Sequence, residues 1–155
     1  GLNARLIMAG DGVEAKNVRS RITTPRVLML GALSPSDLER ELRRANLGLV
    51  SQRADVAEFN LPSKLMNYMA VGLPVIASVR PESETARIVR ESGAGWVTDA
   101  RDPAQFARTA VEVLTKPDEL RARGRAGLTY ADANFRADGV AERFEGVLGA
   151  VAARR

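Results

Sequence analysis

Short apolar runs alternate along the chain with segments of helical periodicity. The runs lie near residues 4–9, 26–30, 47–51, 74–78 and 95–98. Runs of this length, bounded by glycine, proline and polar residues, predict strands that are buried on both faces. Because segments of helical periodicity alternate with the strands, the strands are expected to lie parallel. The pattern therefore predicts an α/β fold with a doubly wound parallel sheet.

Helix start signals occur between the predicted strands. Residues 34–37 read Ser-Pro-Ser-Asp, which predicts a helix that begins here and ends near Ala45. Residues 102–105 read Asp-Pro-Ala-Gln, with Gln105 placed to complete a capping box. After residues 116–117 the chain is predicted to be helical to its end, with a break near residues 134–139. The apolar positions of the last helix are Val140, Phe144, Val147, Leu148 and Val151.

Composition excludes several kinds of chemistry. The 155 residues contain neither cysteine nor histidine, so disulfides, thiolate metal sites and a histidine base are all impossible. The apolar runs are far shorter than the roughly 20 residues that cross a bilayer, and no signal peptide is visible. We therefore expect a cytoplasmic protein that holds no metal and no cofactor.

The basic charge of the chain does not by itself indicate a nucleic-acid partner. The net charge is +4 and the sequence pI is about 10.1. Basic residues are interleaved with acids, as in residues 39–44, Glu-Arg-Glu-Leu-Arg-Arg, which is typical of solvated helix faces. No aromatic group stands beside a basic run to stack on bases. We therefore expect no nucleic-acid binding.

Residues 60–78, NLPSKLMNYMAVGLPVIAS, form the most informative stretch. They predict a loop, a helix over about 64–71, a Gly-Leu-Pro turn and an apolar strand. A helix N-terminus presents unpaired N–H groups and a partial positive charge, and Lys64 adds a full charge there. This is a candidate site for a phosphate group. The alternative is that Ser63 merely caps the helix.

The same stretch resembles a signature of bacterial retaining glycosyltransferases of GT-B architecture, the family 4-like enzymes known as glycosyl transferases group 1. The matching pattern is PSKL, YMA, G and PVIAS, and the likeness is greatest to the subfamily that builds exopolysaccharide, of the colanic-acid type. Further segments match in the same order, namely residues 6–12, 26–31, 45–52, 93–97, 102–103 and 134–135. The resemblance therefore covers nearly the whole chain.

The resemblance implies that residues 1–155 are part of the C-terminal, Rossmann-like domain that binds the donor, with its last helices at about 117–155. The first strand and helix of that domain and the N-terminal acceptor domain are expected to be missing, so this chain alone should be inactive. The implied substrates are a UDP- or GDP-sugar and a glycan or lipid-linked acceptor, at the inner face of the membrane in the latter case. Two alternatives remain open: a non-catalytic nucleotide-binding or docking module, and a GT-B nucleotide-sugar epimerase.

Candidate donor-binding residues follow the predicted strands. Gly10, Gly12 and Gly31 allow a ligand close to the backbone, although ordinary tight turns would also use glycine. Arg53 is a candidate phosphate ligand, because a guanidinium group binds two oxygens at once. The loop to residue 62 is long enough to suggest a function. Its side chains Glu58 and Asn60 are candidate acceptors for sugar hydroxyls.

The resemblance adds residues by position. Many relatives have two glutamates separated by seven residues, and these positions are Phe59 and Asn67 here. The pair is therefore absent, and the Asn67 amide remains as the candidate ribose contact. Ser83 and Glu84 are implied to face the sugar or the acceptor, although Ser83 is also a good helix cap. No catalytic residue is identified. The implied phosphate-binding segment is Leu61, Pro62, Ser63, Lys64 and Leu65.

Overall fold

The computed structural model describes residues 3–55 and 61–136, together with Glu145. The chain divides into two compact units, Gly1–Arg44 and Ala45–Arg155. Both contain parallel strands that alternate with helices. The predicted α/β class and the parallel direction of the strands are therefore confirmed.

The first unit has a β-α-β-α order. Strands β1 and β2 pair in parallel, with Leu6 opposite Val27. None of the side chains of residues 3–44 is fully buried. The prediction that every strand is buried on both faces is therefore wrong for β1 and β2, whose small two-stranded sheet leaves Ile7 45% and Leu30 41% exposed. The hydrophobic pattern did not predict helix α1, which is six residues long, has no side-chain cap and contributes no buried residue. The elements are β1 (Leu6–Ala9), α1 (Ala15–Ser20), β2 (Val27–Gly31) and α2 (Pro35–Arg44).

The second unit contains a three-stranded sheet in the order β3-β4-β5, with every neighbouring pair parallel. The central strand β4 is covered on both faces, since Val75, Ile76, Ala77 and Val79 are all at most 1% exposed. Its elements are β3 (Gly48–Ser51), α3 (Ser63–Ala70), β4 (Val75–Val79), α4 (Glu84–Ser92), β5 (Gly95–Asp99), α5 (Pro103–Leu114) and α6 (Pro117–Asn134).

Helix α3 is attached to the core of this unit by two fully buried side chains, Leu65 and Met69. An isolated helix of eight residues is unstable in water, so its position depends on this packing. Small residues of α6 allow its backbone to lie close to Gly72. A Cβ at Gly124 would lie only 2.2 Å from the Gly72 carbonyl oxygen. Gly72 belongs to the turn that joins α3 to β4. Packing of Leu65 and Met69 in the core and contact of the following turn with α6 together hold α3 in place.

The observed elements agree closely with the predicted ones. All five strands are present within two residues of the predicted bounds, and α3 spans Ser63–Ala70 against a prediction of about 64–71. Ser34 and Asp102 both cap their helices, through bonds from the backbone N–H groups of Asp37 and Gln105. The predicted capping box is wrong, because the Gln105 side-chain oxygen accepts instead from the Asp99 N–H at 2.8 Å. Gln105 thus ties α5 to the end of β5.

The C-terminal prediction is tested only in part. Helix α6 ends at Asn134, where the break was expected. The predicted last helix lies outside the described residues. Within residues 3–55 and 61–136, no helix is long and apolar enough to cross a membrane.

Candidate functional site

The carboxyl ends of β3, β4 and β5 lie at one edge of the sheet, because the three strands are parallel. Open α/β sheets bind their ligands at this edge. Helix α3 returns the chain to the start of β4, so its own N-terminus points toward the carboxyl edge. Helices α4 and α5 begin directly after β4 and β5. Three helix N-termini are therefore directed toward the edge where a ligand is expected.

Two of these N-termini are satisfied by side chains. The Ser83 hydroxyl accepts a hydrogen bond from the Ala86 N–H at 3.1 Å, and Ser83 is only 9% exposed. The Asp102 carboxylate caps α5 in the same manner. Ser83 therefore caps helix α4, which was the alternative to a contact with the sugar or the acceptor. The neighbouring Glu84 carboxylate is paired with Arg87.

We expect Ser83→Ala to lower the free energy of unfolding by about 1–2 kcal/mol, because a first-turn N–H would lose its buried acceptor. The measurement is urea unfolding followed by the fluorescence of Trp96. The matched control is Ser63→Ala, which removes an exposed hydroxyl from the first turn of α3. This control should change stability by less than about 0.5 kcal/mol. Equal effects of the two substitutions would contradict the assigned capping role.

The N-terminus of α3 differs from the other two. Its N-cap residue is Pro62, which makes no side-chain cap. The Leu65 N–H already donates to the Pro62 carbonyl oxygen at 3.0 Å. No acceptor among the described residues takes the N–H groups of Ser63 and Lys64. The predicted set Ser63 to Leu65 thus contains two available donors, while the Leu65 side chain lies in the core.

Charges at the carboxyl edge are mostly paired. Arg80 binds Glu82 at 2.6 Å and Arg53 donates to Asp55 at 2.9 Å. Arg101 donates to the Asp99 carboxylate at 2.9 Å, and these hydrogen bonds lower the pKa of Asp99 to about 2. Asp99 therefore stays ionised at neutral pH. Asp99 and Arg101 were not among the predicted site residues, although their position after β5 places them at the carboxyl edge.

Lys64 contrasts with these arginines. Its ammonium group forms no ion pair with any described residue, and the side chain is exposed at the start of α3. Asn67 is exposed one turn further along, and positions three residues apart share a helix face. Lys64 and Asn67 thus place a cation and an amide beside two N–H groups, and among the described residues neither the cation nor these N–H groups has a partner. Such an arrangement suits an anion that carries a hydroxyl-bearing group.

The three predicted glycines, Gly10, Gly12 and Gly31, lie in the first unit. The Gly10 N–H donates to the Gly31 carbonyl oxygen at 2.7 Å, so the two turns meet directly. Their φ angles are 134° and 72°, in the region that favours glycine. No atom lies within 4 Å of a Cβ built at Gly10, Gly12 or Gly31. Backbone conformation, rather than crowding by the protein, therefore accounts for Gly10 and Gly31, and the space beside them is open.

The other predicted donor-site residues have other contacts or lie outside the described residues. Glu58 and Asn60 lie outside the described residues. Leu61 packs against the core and Arg53 is held by Asp55. In the described ranges no cluster of three or more His, Cys, Asp or Glu side chains is placed to hold a metal ion.

The alternating parallel strands and the ligand edge define a Rossmann-like α/β protein. Comparison with known families gives a narrower assignment: the model described as "Glycosyl transferases group 1" matches residues 1–116. The chain belongs to the glycosyl transferases group 1 family.

The chain is also similar to "Probable glycosyltransferase WbjE" of Pseudomonas aeruginosa. The two sequences are 26% identical over 113 residues, which is 71% of this chain and 28% of the relative. The chain therefore spans less than a third of the length of this relative.

Proposed function

We propose that this chain is the donor-binding part of a retaining glycosyltransferase that transfers a sugar from a nucleotide-diphosphate sugar to an acceptor. UDP- and GDP-sugars are the preferred donor candidates, and a glycan or lipid-linked sugar of polysaccharide or glycolipid synthesis is the acceptor. Membership of the glycosyl transferases group 1 family supports the reaction class. An N-terminal domain of the same protein would supply the acceptor site and any catalytic base.

The open N-terminus of α3 carries the proposal. Two N–H groups and the Lys64 ammonium at this N-terminus have no partner among the described residues, which supports a role in binding a diphosphate. In this proposal they bind the diphosphate and stabilise the negative charge that develops as the sugar–phosphate bond breaks. Asn67 then holds the ribose hydroxyls. With retention, the acceptor attacks the same face of the sugar from which the phosphate leaves.

The first test is calorimetric titration of the chain with UDP, GDP and ADP. Lys64→Ala should weaken binding of the preferred nucleotide about tenfold or more, the usual loss for a hydrogen bond to a charged group. The matched control is Arg125→Ala, which removes another exposed cation that has no ion pair among the described residues. Arg125 follows Gly124, which packs against Gly72 and Pro74 just before β4. It therefore lies near the amino edge of the sheet, away from the candidate site. Equal losses in both variants would contradict a specific phosphate contact.

A second pair of variants tests the backbone donor itself. Ser63→Pro deletes one N–H group and Ser63→Ala removes only the hydroxyl. Proline is tolerated at the first helical position, and Pro62 already has the extended conformation, ψ 127°, required before a proline. We expect the proline variant to bind the nucleotide about tenfold more weakly than the alanine variant. Equal affinities, or no nucleotide binding by the unmodified chain, would favour the docking-module alternative.

A further inference from the structure

Basic residues of the first unit collect at the amino edge of its sheet. Arg5 precedes β1 and Arg26 precedes β2, and the Leu6 N–H donates to the Arg26 carbonyl oxygen at 2.9 Å. The two arginines therefore lie on adjacent strands at one edge. Helix α1 returns the chain to this edge, with Arg19 in its last turn and Arg21 at its C-cap.

The described residues that adjoin the amino ends of β1 and β2, residues 3–5 and 19–26, include no acid. Asp11 and Glu14 follow β1 and so lie at the opposite, carboxyl edge. The acids of α2 are used within that helix, where Arg40, Arg43 and Arg44 each pair with a nearby carboxylate. The described acids of this unit thus lie either between β1 and α1 or on α2.

Three arginines of this edge differ from those of α2. Arg5, Arg19 and Arg21 are exposed and form no ion pair with any described residue. Arg19 has one structural use, since a cation in the last turn stabilises the helix dipole. No such use applies to Arg5, which lies before a strand. An unscreened group of guanidinium ions is therefore presented to solvent.

We propose that this amino edge, defined as Arg5, Arg19, Arg21 and the adjacent Arg26, binds the headgroups of anionic phospholipids. Guanidinium groups bind phosphate oxygens in pairs. An anionic membrane surface attracts clustered basic residues without requiring a shaped pocket. The adjoining Leu6 side chain is 41% exposed and adds an apolar contact at the same edge.

A lipid surface fits this edge better than a nucleic acid does. Residues 3–44 contain no aromatic side chain on which bases could stack. Helix α1 has only six residues, which is short for a helix that reads a groove. Attachment by the amino edge also leaves the open carboxyl edge at Gly10 and Gly31 accessible. The proposal stands independently of the donor-binding assignment.

The test is co-sedimentation of the chain with phosphatidylcholine vesicles that contain or lack phosphatidylglycerol. The test variant combines Arg5→Gln, Arg19→Gln and Arg21→Gln. The matched control combines Arg40→Gln, Arg43→Gln and Arg44→Gln, which removes the same charge from paired positions in the same unit. Each basic residue near an anionic surface changes affinity roughly fivefold, so the test variant should bind on the order of 100-fold more weakly. The control variant should keep most of its binding.

Three outcomes would overturn the proposal. These are no binding of the unmodified chain to phosphatidylglycerol vesicles, equal losses in the test and control variants, and tighter binding to duplex DNA in a parallel anisotropy titration. Thermal melting of both variants establishes that they are folded. Nucleotide titration of the test variant separates this site from the donor site, because its nucleotide affinity should be unchanged.

Discussion

Gly95→Ala should lower the free energy of unfolding by about 3 kcal/mol or more. A Cβ at this position would lie 1.7 Å from the Val75 carbonyl oxygen and 2.6 Å from its carbon. Both atoms belong to the backbone of β4, so no side-chain rotation can relieve the overlap. Strand β5 would have to move away from β4, which breaks hydrogen bonds such as that from the Val75 N–H to the Ala94 carbonyl oxygen.

The measurement is urea unfolding followed by the fluorescence of Trp96, the single tryptophan of the chain. Gly93→Ala is the matched control, because Gly93 has a φ of 64° and the nearest atom to its Cβ position is 3.7 Å away. This control bears only the cost of a left-handed backbone, about 1–2 kcal/mol. If the two variants unfold at the same urea concentration, steric overlap with β4 is not what requires glycine at position 95.

Leu65→Ala is expected to lower the free energy of unfolding by about 3 kcal/mol. Leu65 is 0% exposed and lies in the core cluster with Met69, so the shorter side chain leaves a cavity under α3. Leu65→Met keeps most of the volume and should cost less than about 1.5 kcal/mol. The same unfolding experiment measures both variants.

The control for Leu65 is its exposed neighbour on the same helix. Asn67→Ala should change stability by less than about 0.5 kcal/mol while weakening nucleotide binding, if the proposed ribose contact is correct. Leu65→Ala should instead have its main effect on stability, because the Leu65 side chain lies in the core. A small stability loss in Leu65→Ala would show that α3 is not held by this packing.

These predictions connect the candidate site to the core of the second unit. The start of α3 offers two N–H groups and the Lys64 ammonium, but an eight-residue helix cannot maintain their position alone. Leu65 and Met69 attach the helix to the core, and the turn at Gly72 packs on α6. Under the proposed function, substitutions in the core would therefore weaken nucleotide binding without contacting the nucleotide. Measuring stability and affinity on the same variants separates the two effects.

Local pattern determined the secondary structure to a large extent. The apolar runs predicted all five strands, and β4 is buried on both faces as such a run predicts. The runs did not predict that β1 and β2 would contain no fully buried side chain. Capping residues such as Ser34 and Asp102 predicted helix starts, because their side chains bond N–H groups only three residues away. Helix α1 was missed, since it has neither a side-chain cap nor a buried stripe.

The sequence by itself determined the α/β class, most of the order of strands and helices, and membership of the glycosyl transferases group 1 family. Only the tertiary structure decided which polar groups remain available. Arg53 is paired with Asp55, the Leu65 N–H is used by Pro62 and Gln105 bonds Asp99 instead of completing its capping box. The reason is physical: periodicity records which face of an element is buried. Hydrogen-bond and ion-pair partners depend instead on distances and side-chain directions that exist only after the elements have packed.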